Sequence, residues 1–191
     1  MKAIVVRWLV ILAVLAFGYL LFLRRYQVEA RIWHWRHGYS TRAGNYEFPV
    51  PEHWLIIEKD FVGFTMLNTA PNLARDHKFH TTSVVTFFPF RNRPIGPAGL
   101  ATWRALQHQR LEKEGVKSVE EKKVTFSGEE LTCIGGNELQ MIFSRIRNRP
   151  PGMDDANILS LDCLSTSNLE VMFVGEPSDL QPFYVLVSQI R

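Results

Sequence analysis

Residues 3–23, AIVVRWLVILAVLAFGYLLFL, constrain this chain more than any other feature. A helix of these 21 residues, at 1.5 Å per residue, is about 31 Å long. That length matches a hydrocarbon core of about 30 Å. The single charge in the run, Arg7, lies in the first turns, where its aliphatic stem carries the guanidinium toward a polar interface. Trp8 and Tyr26 sit near opposite ends, as aromatic belt residues do. A cleaved signal peptide needs small residues after its apolar run, whereas this one ends in Leu23-Arg24-Arg25. The sequence therefore predicts an uncleaved single-pass signal anchor over 1–25. A basic, aromatic juxtamembrane linker follows over 26–43, and one soluble domain over 44–191. Trp8, Arg24, Arg25, Trp33 and Trp35 are the expected membrane-interface residues.

Charge follows the same partition. Residues 1–43 carry seven basic side chains against the one acid, Glu29, a surplus of six, so the +3 of the whole chain leaves about −3 on the remainder. A pI near 9.0 thus describes the flank of the anchor, and nucleic acid is not an expected partner. Basic residues beside an apolar span suit anionic head groups, which makes the lipid bilayer a partner and another membrane or envelope protein a second. Basic residues flank both sides, so the positive-inside rule does not decide orientation. The short N-terminal tail favours a domain outside the cytoplasm, and size and layout suggest a bacterial inner membrane with the domain in the periplasm.

The remaining residues read as an α+β domain. Tyr46 to Val50, Trp54 to Glu58, Phe61 to Leu67 and Thr81 to Phe88 have strand composition, and Lys59-Asp60 marks a hairpin corner. A long amphipathic helix is expected over 98–114, opened by Pro97 and closed by Gly115. Its Leu100, Trp103, Leu106 and Leu111 fall within an arc of about 140°, the face expected to pack on the sheet. Further strands are expected over 117–126, 130–135, 138–147, 157–166 and 168–174, with a closing helix from Ser178 whose β-branched residues also allow a strand. Strands, helix, strands, helix is the order of an antiparallel sheet of six to eight strands with helices packed on it. Composition gives no sign of disorder or of a disulfide-dense scaffold.

Phe48-Pro49-Val50-Pro51 followed by Trp54 resembles the opening of PsbP-like domains, the fold of the photosystem II extrinsic protein. Phe173-Val174-Gly175, Asp179 and Phe183-Tyr184 resemble the closing strand and helix of that fold. The likeness covers most of 44–191 as an order of elements. It implies a protein-binding or assembly role and carries no implication of photosynthesis.

Signatures of catalysis are missing. The chain has no Gly-x-x-x-x-Gly-Lys loop, Gly-x-Ser-x-Gly elbow, His-Glu-x-x-His or Cys-x-x-Cys, and no catalytic residue, metal site or cofactor is assigned. Gly135-Gly136 reads as a turn or bulge. His77 and His80, three apart, point to opposite faces of an extended segment and make a poor ligand pair. Asp154 and Asp155 lie in a Pro-Gly loop, where acids serve turns. His34 and His37 are explained by interfacial packing beside Trp33 and Trp35. The repeated Arg-Asn-Arg-Pro at 91–94 and 147–150 suggests a basic patch of Arg91, Arg93, Arg145, Arg147 and Arg149 for an anionic group, or simply arginines that end exposed strands. Cys133 and Cys163 are compatible with one disulfide or with two buried thiols. Two functions compete: a membrane-anchored, non-catalytic binding or assembly domain, and an enzyme with dispersed polar groups drawn from His53, His77, His80 and Asp162.

Overall fold

The computed structural model describes residues 2–23, 25–59, 62–69, 83–89, 95–116, 118–137, 158–167 and 169–191. Two helices come first, α1 (Lys2–Leu23) and α2 (Arg25–His37), then a hairpin of β1 (Ser40–Ala43) and β2 (Tyr46–Pro49). The main sheet begins with β3 (Trp54–Lys59), β4 (Phe64–Asn68) and β5 (Ser83–Phe88). Helix α3 (Gly96–Lys113) precedes β6 (Val119–Phe126), β7 (Glu129–Gly136), β8 (Leu159–Ser165) and β9 (Glu170–Gly175). A 3-10 turn (Pro177–Asp179) leads into α4 (Leu180–Ser188).

The first element requires a correction. Among the described residues no helix is long and apolar enough to cross a membrane. On that finding the transmembrane signal anchor, the inner-membrane placement and the periplasmic domain are withdrawn.

The seven strands of the main sheet lie in the order β3-β4-β5-β9-β8-β7-β6, and every neighbouring pair is antiparallel. It is an α+β architecture built from two meanders, β3 to β5 and β6 to β9, joined among the described strands where β5 pairs with β9. Strand alternation sends Val85 and Phe87 to one face and Val84 to the other. On the first face, Phe48, Phe64 and Phe87 form a trio with ring centroids 4.9–5.0 Å apart. Helix α4 covers the same face, with Phe183 4.7 Å from Phe173. On the second face α2 packs over Leu55, Leu67, Val84 and Val174 through Ala30 and Trp33, while α3 lies near β7.

Local chemistry explains the boundaries. Ser127 and Gly128 both have positive φ (45° and 77°), the signature of a two-residue type I′ turn, and they join β6 to β7. Helix α3 ends in a Schellman motif: Val116 N–H donates to the Leu111 carbonyl and Gly115 N–H to that of Glu112, with Gly115 at φ 71°. Gly135-Gly136 is not a turn. Both glycines lie inside β7, and a Cβ on Gly135 would stand 1.9 Å from the Ser160 carbonyl oxygen, so the strands could not approach as they do.

The packing face expected for α3 is also corrected. Of Leu100, Trp103, Leu106 and Leu111 only Leu111 is buried, and Leu106 is 58% exposed. Beside buried Leu111 and half-buried Leu100 and Trp103, polar contacts tie the helix to the sheet: Arg104 and His108 reach Glu121 on β6 at 2.6 and 2.8 Å, and Arg110 reaches Asp162 on β8 at 3.2 Å.

Cys133 and Cys163 stand directly opposite in the β7–β8 register and are joined as a disulfide, both sulfurs lying in the core of the first face.

Candidate functional site

Helix α2 carries a stripe of Ala30, Trp33, His34 and His37, spaced three and four apart, which makes one continuous face. Ala30 is small enough for the helix to approach the sheet closely and is buried. His34, 6% exposed, fixes the helix in place. Its Nδ1 lies 2.8 Å from the Gly38 carbonyl oxygen, and its Nε2 lies 3.0 and 2.9 Å from those of Pro51 and Trp54. Carbonyls only accept, so whichever ring nitrogen carries the hydrogen is the donor. The Tyr39 ring stacks on the imidazole at 4.6 Å. Gly38, at φ 81°, ends the helix, its N–H donating to the His34 carbonyl, and turns the chain into β1.

This docking creates a cleft of about 440 Å³. Trp33 and His37 of α2 form one wall, Ser40, Thr41 and Arg42 of β1 another, and Ile56, Ile57, Glu58 and Lys59 of β3 the third. Trp33 and His37 stack at 4.9 Å, and His37 Nδ1–H donates to the Trp33 carbonyl at 3.0 Å. Lys59 spans from β3 to β1, its ammonium donating to Thr41 Oγ1 at 2.9 Å and to the Arg42 carbonyl at 3.1 Å. Arg42 faces Glu47 at 3.6 Å. The Ser40 hydroxyl donates to Glu47, and that bond, joined by Arg42, holds the carboxyl below its usual range despite slight desolvation.

Two strand edges meet at the cleft. Strand β3 ends the main sheet, so among the described residues one of its sides has no strand neighbour. Trp54 N–H donates to the Pro51 carbonyl and the Trp54 carbonyl accepts from His34, so the backbone groups of Trp54 point away from β4. Two residues on, the N–H and C=O of Ile56 point the same way by antiparallel alternation. On β1, Val50 N–H donates to the Tyr39 carbonyl, which makes 39 and 50 a hydrogen-bonded pair. Ser40 and Arg42 consequently turn their amides away from β2. No other described backbone group takes up the outward amides of Ser40, Arg42 or Ile56.

The residues singled out in the sequence are dispersed. Arg91, Arg93, Arg145, Arg147, Arg149, His77, His80, Asp154 and Asp155 lie outside the described residues, as do the strand expected over 138–147 and the side chains of Arg24 and Arg25. Trp8 is 61% and Trp35 84% exposed, whereas Trp33 packs against both core clusters. Trp33, His34 and His37 are thus fold and cleft residues, a role distinct from interfacial packing. Exposed His53 precedes β3 and buried Asp162 lies on β8, four strand spacings away. At ~4.8 Å per spacing that separation is about 19 Å, too far for one catalytic site. Among the described residues no group of three His, Cys, Asp or Glu is placed to hold a metal ion. The cleft escaped sequence reasoning because its stripe is polar and aromatic; the spacing of 30, 33, 34 and 37 was the available signal.

No protein-family model matches this chain, and no curated protein matches it. The resemblance to PsbP-like domains gains no support from these comparisons. A crystal structure from Bacteroides thetaiotaomicron VPI-5482 aligns with a TM-score of 0.41 at 9% identity, covering 79% of this chain. The chain spans about half of that protein's length, 46%.

Proposed function

We propose that the folded region is a non-catalytic binding module whose contact surface is the cleft between α2, β1 and β3. One observation carries the reading: a concave site of about 440 Å³ in which a half-buried tryptophan, two unlike strand edges and the cations Arg42 and Lys59 converge. Sites of that volume, with an aromatic anchor and a few convergent polar groups, are typical of ligand and partner recognition.

Site-specific photo-crosslinking in cells tests the proposal. A photoreactive phenylalanine analogue is placed at Thr41, at Glu58 and, as a control, at Lys123 on the far edge of the sheet. One discrete adduct, shared by the two cleft positions and weakened by Trp33→Ala in a folded protein, is the expected result. Adducts that are equal at Lys123, or indifferent to Trp33, refute the cleft as the contact surface.

A further inference from the structure

The cleft lines β3 with four consecutive residues, Ile56 to Lys59, and β1 with three, Ser40 to Arg42. On β1 successive side chains point to opposite faces, so a space touching Ser40, Thr41 and Arg42 runs along the strand edge and not over one face. On β3 the four residues span the β-bulge between Ile56 and Glu58. Its two long sides are the edges that present the outward amides of Ser40, Arg42 and Ile56. An extended residue occupies about 160 Å³, from a 3.4 Å rise, a 4.8 Å strand spacing and a 10 Å sheet spacing, so the volume suits about three residues. The charge of the walls has a sign as well. Arg42 and Lys59 outnumber Glu58 among the lining residues.

We propose that this cleft receives an extended peptide segment bearing acidic side chains, which inserts as a strand between β1 and β3. The peptide would bond on one side to Ser40 and Arg42 and on the other to Ile56, extending the main sheet through the β1–β2 hairpin. Lys59 would exchange its bonds to Thr41 and the Arg42 carbonyl for a peptide carboxylate, and Arg42 would supply a second cation. Strand addition of this kind takes affinity from main-chain bonds and selectivity from alternate side chains. The inference rests on the binding reading given above and adds the partner's conformation and charge.

The test uses the full chain and three probes. They are the peptide Ac-Thr-Glu-Val-Glu-Val-Glu-Thr-NH2, its counterpart with lysine for glutamate, and versions of the acidic peptide N-methylated at alternate residues. The acidic peptide should slow hydrogen exchange at the amides of Ser40, Arg42 and Ile56, leaving the ladder-bonded amide of Thr41 unchanged. N-methylation in either alternation should weaken binding, about fivefold per blocked bond, because both peptide edges are engaged. Lys59→Glu should shift the preference toward the lysine peptide by about fivefold or more. Binding that ignores N-methylation and leaves those three amides unprotected overturns strand insertion while leaving the binding module intact. Equal binding of both peptides overturns the charge assignment. Failure of the acidic peptide to bind overturns the inference, and Ile56 amide protection that rises with protein concentration alone overturns it in favour of a second copy.

Discussion

Replacing His34 by alanine tests the docking of α2, on which the cleft depends. The substitution removes contacts to the carbonyls of Gly38, Pro51 and Trp54 and the stacking partner of Tyr39. The Trp54 contact is buried, so that acceptor loses its partner in a place where water substitutes poorly. An unsatisfied buried polar group costs about 1–3 kcal/mol, and lost packing of the ring adds about 1 kcal/mol. A total of about 3 kcal/mol should lower the Tm by roughly 6–12 °C in a domain of this size. Trp35, one residue further and 84% exposed, provides the control: Trp35→Ala should change stability by no more than about 0.5 kcal/mol. Circular-dichroism melts measure both, and amide exchange across 25–37 reports whether the helix detaches before the sheet unfolds. A His34 variant with an unchanged Tm, or a Trp35 variant more damaged than the His34 variant, would refute the docking argument.

Three further outcomes follow from the same contacts. Closing a loop of 30 residues by the Cys133–Cys163 disulfide constrains the unfolded chain by about 3–4 kcal/mol, so melts with reductant should fall well below those without it, and equal melts would contradict that contribution. Burial raises the Glu121 carboxyl, but bonds from His108 and Arg104 outweigh it and leave the group below the usual 4.5. Its stabilising effect is therefore complete above the unfolded value and lost as pH falls through the folded one; Glu121→Gln should flatten that acid limb in pH-dependent melts. Gly135→Ala forces a methyl onto the Ser160 carbonyl and should cost about 3 kcal/mol or more. Gly18→Ala, with no heavy atom within 4 Å of the added carbon, should be neutral or slightly stabilising, and denaturant titration separates the two.

Much of the sheet was legible because period-two alternation and turn residues are local signals. Thr81 to Phe88 reads as a strand, and β5 is Ser83–Phe88; Pro97 and Gly115 bracket a helix that spans Gly96–Lys113. The helix faces were not legible. Hydropathy ranks Leu106 above Arg104, yet Arg104 reaches Glu121 while Leu106 stays exposed, because the facing strands present carboxylates at Glu121 and Asp162. A helix read alone gives no account of the surface it meets. The same holds for His34: an imidazole is worth burying only where carbonyls converge, and Pro51 and Trp54 supply theirs across a chain separation of 17 and 20 residues. The cleft lies another step away, since an open edge becomes visible only once the strand order is known.

The seam between β5 and β9 has a consequence for how the molecule comes apart. It joins residues such as Val85 and Phe173, distant in sequence, whereas β6 to β9 are sequential neighbours. Its formation carries a larger loop-closure cost than either hairpin series. The disulfide crosslinks β7 to β8 and so braces only the C-terminal series. Partial opening should thus proceed in two cooperative blocks, with an oxidised β6–β9 unit outlasting a β3–β5 unit that sheds its protection first.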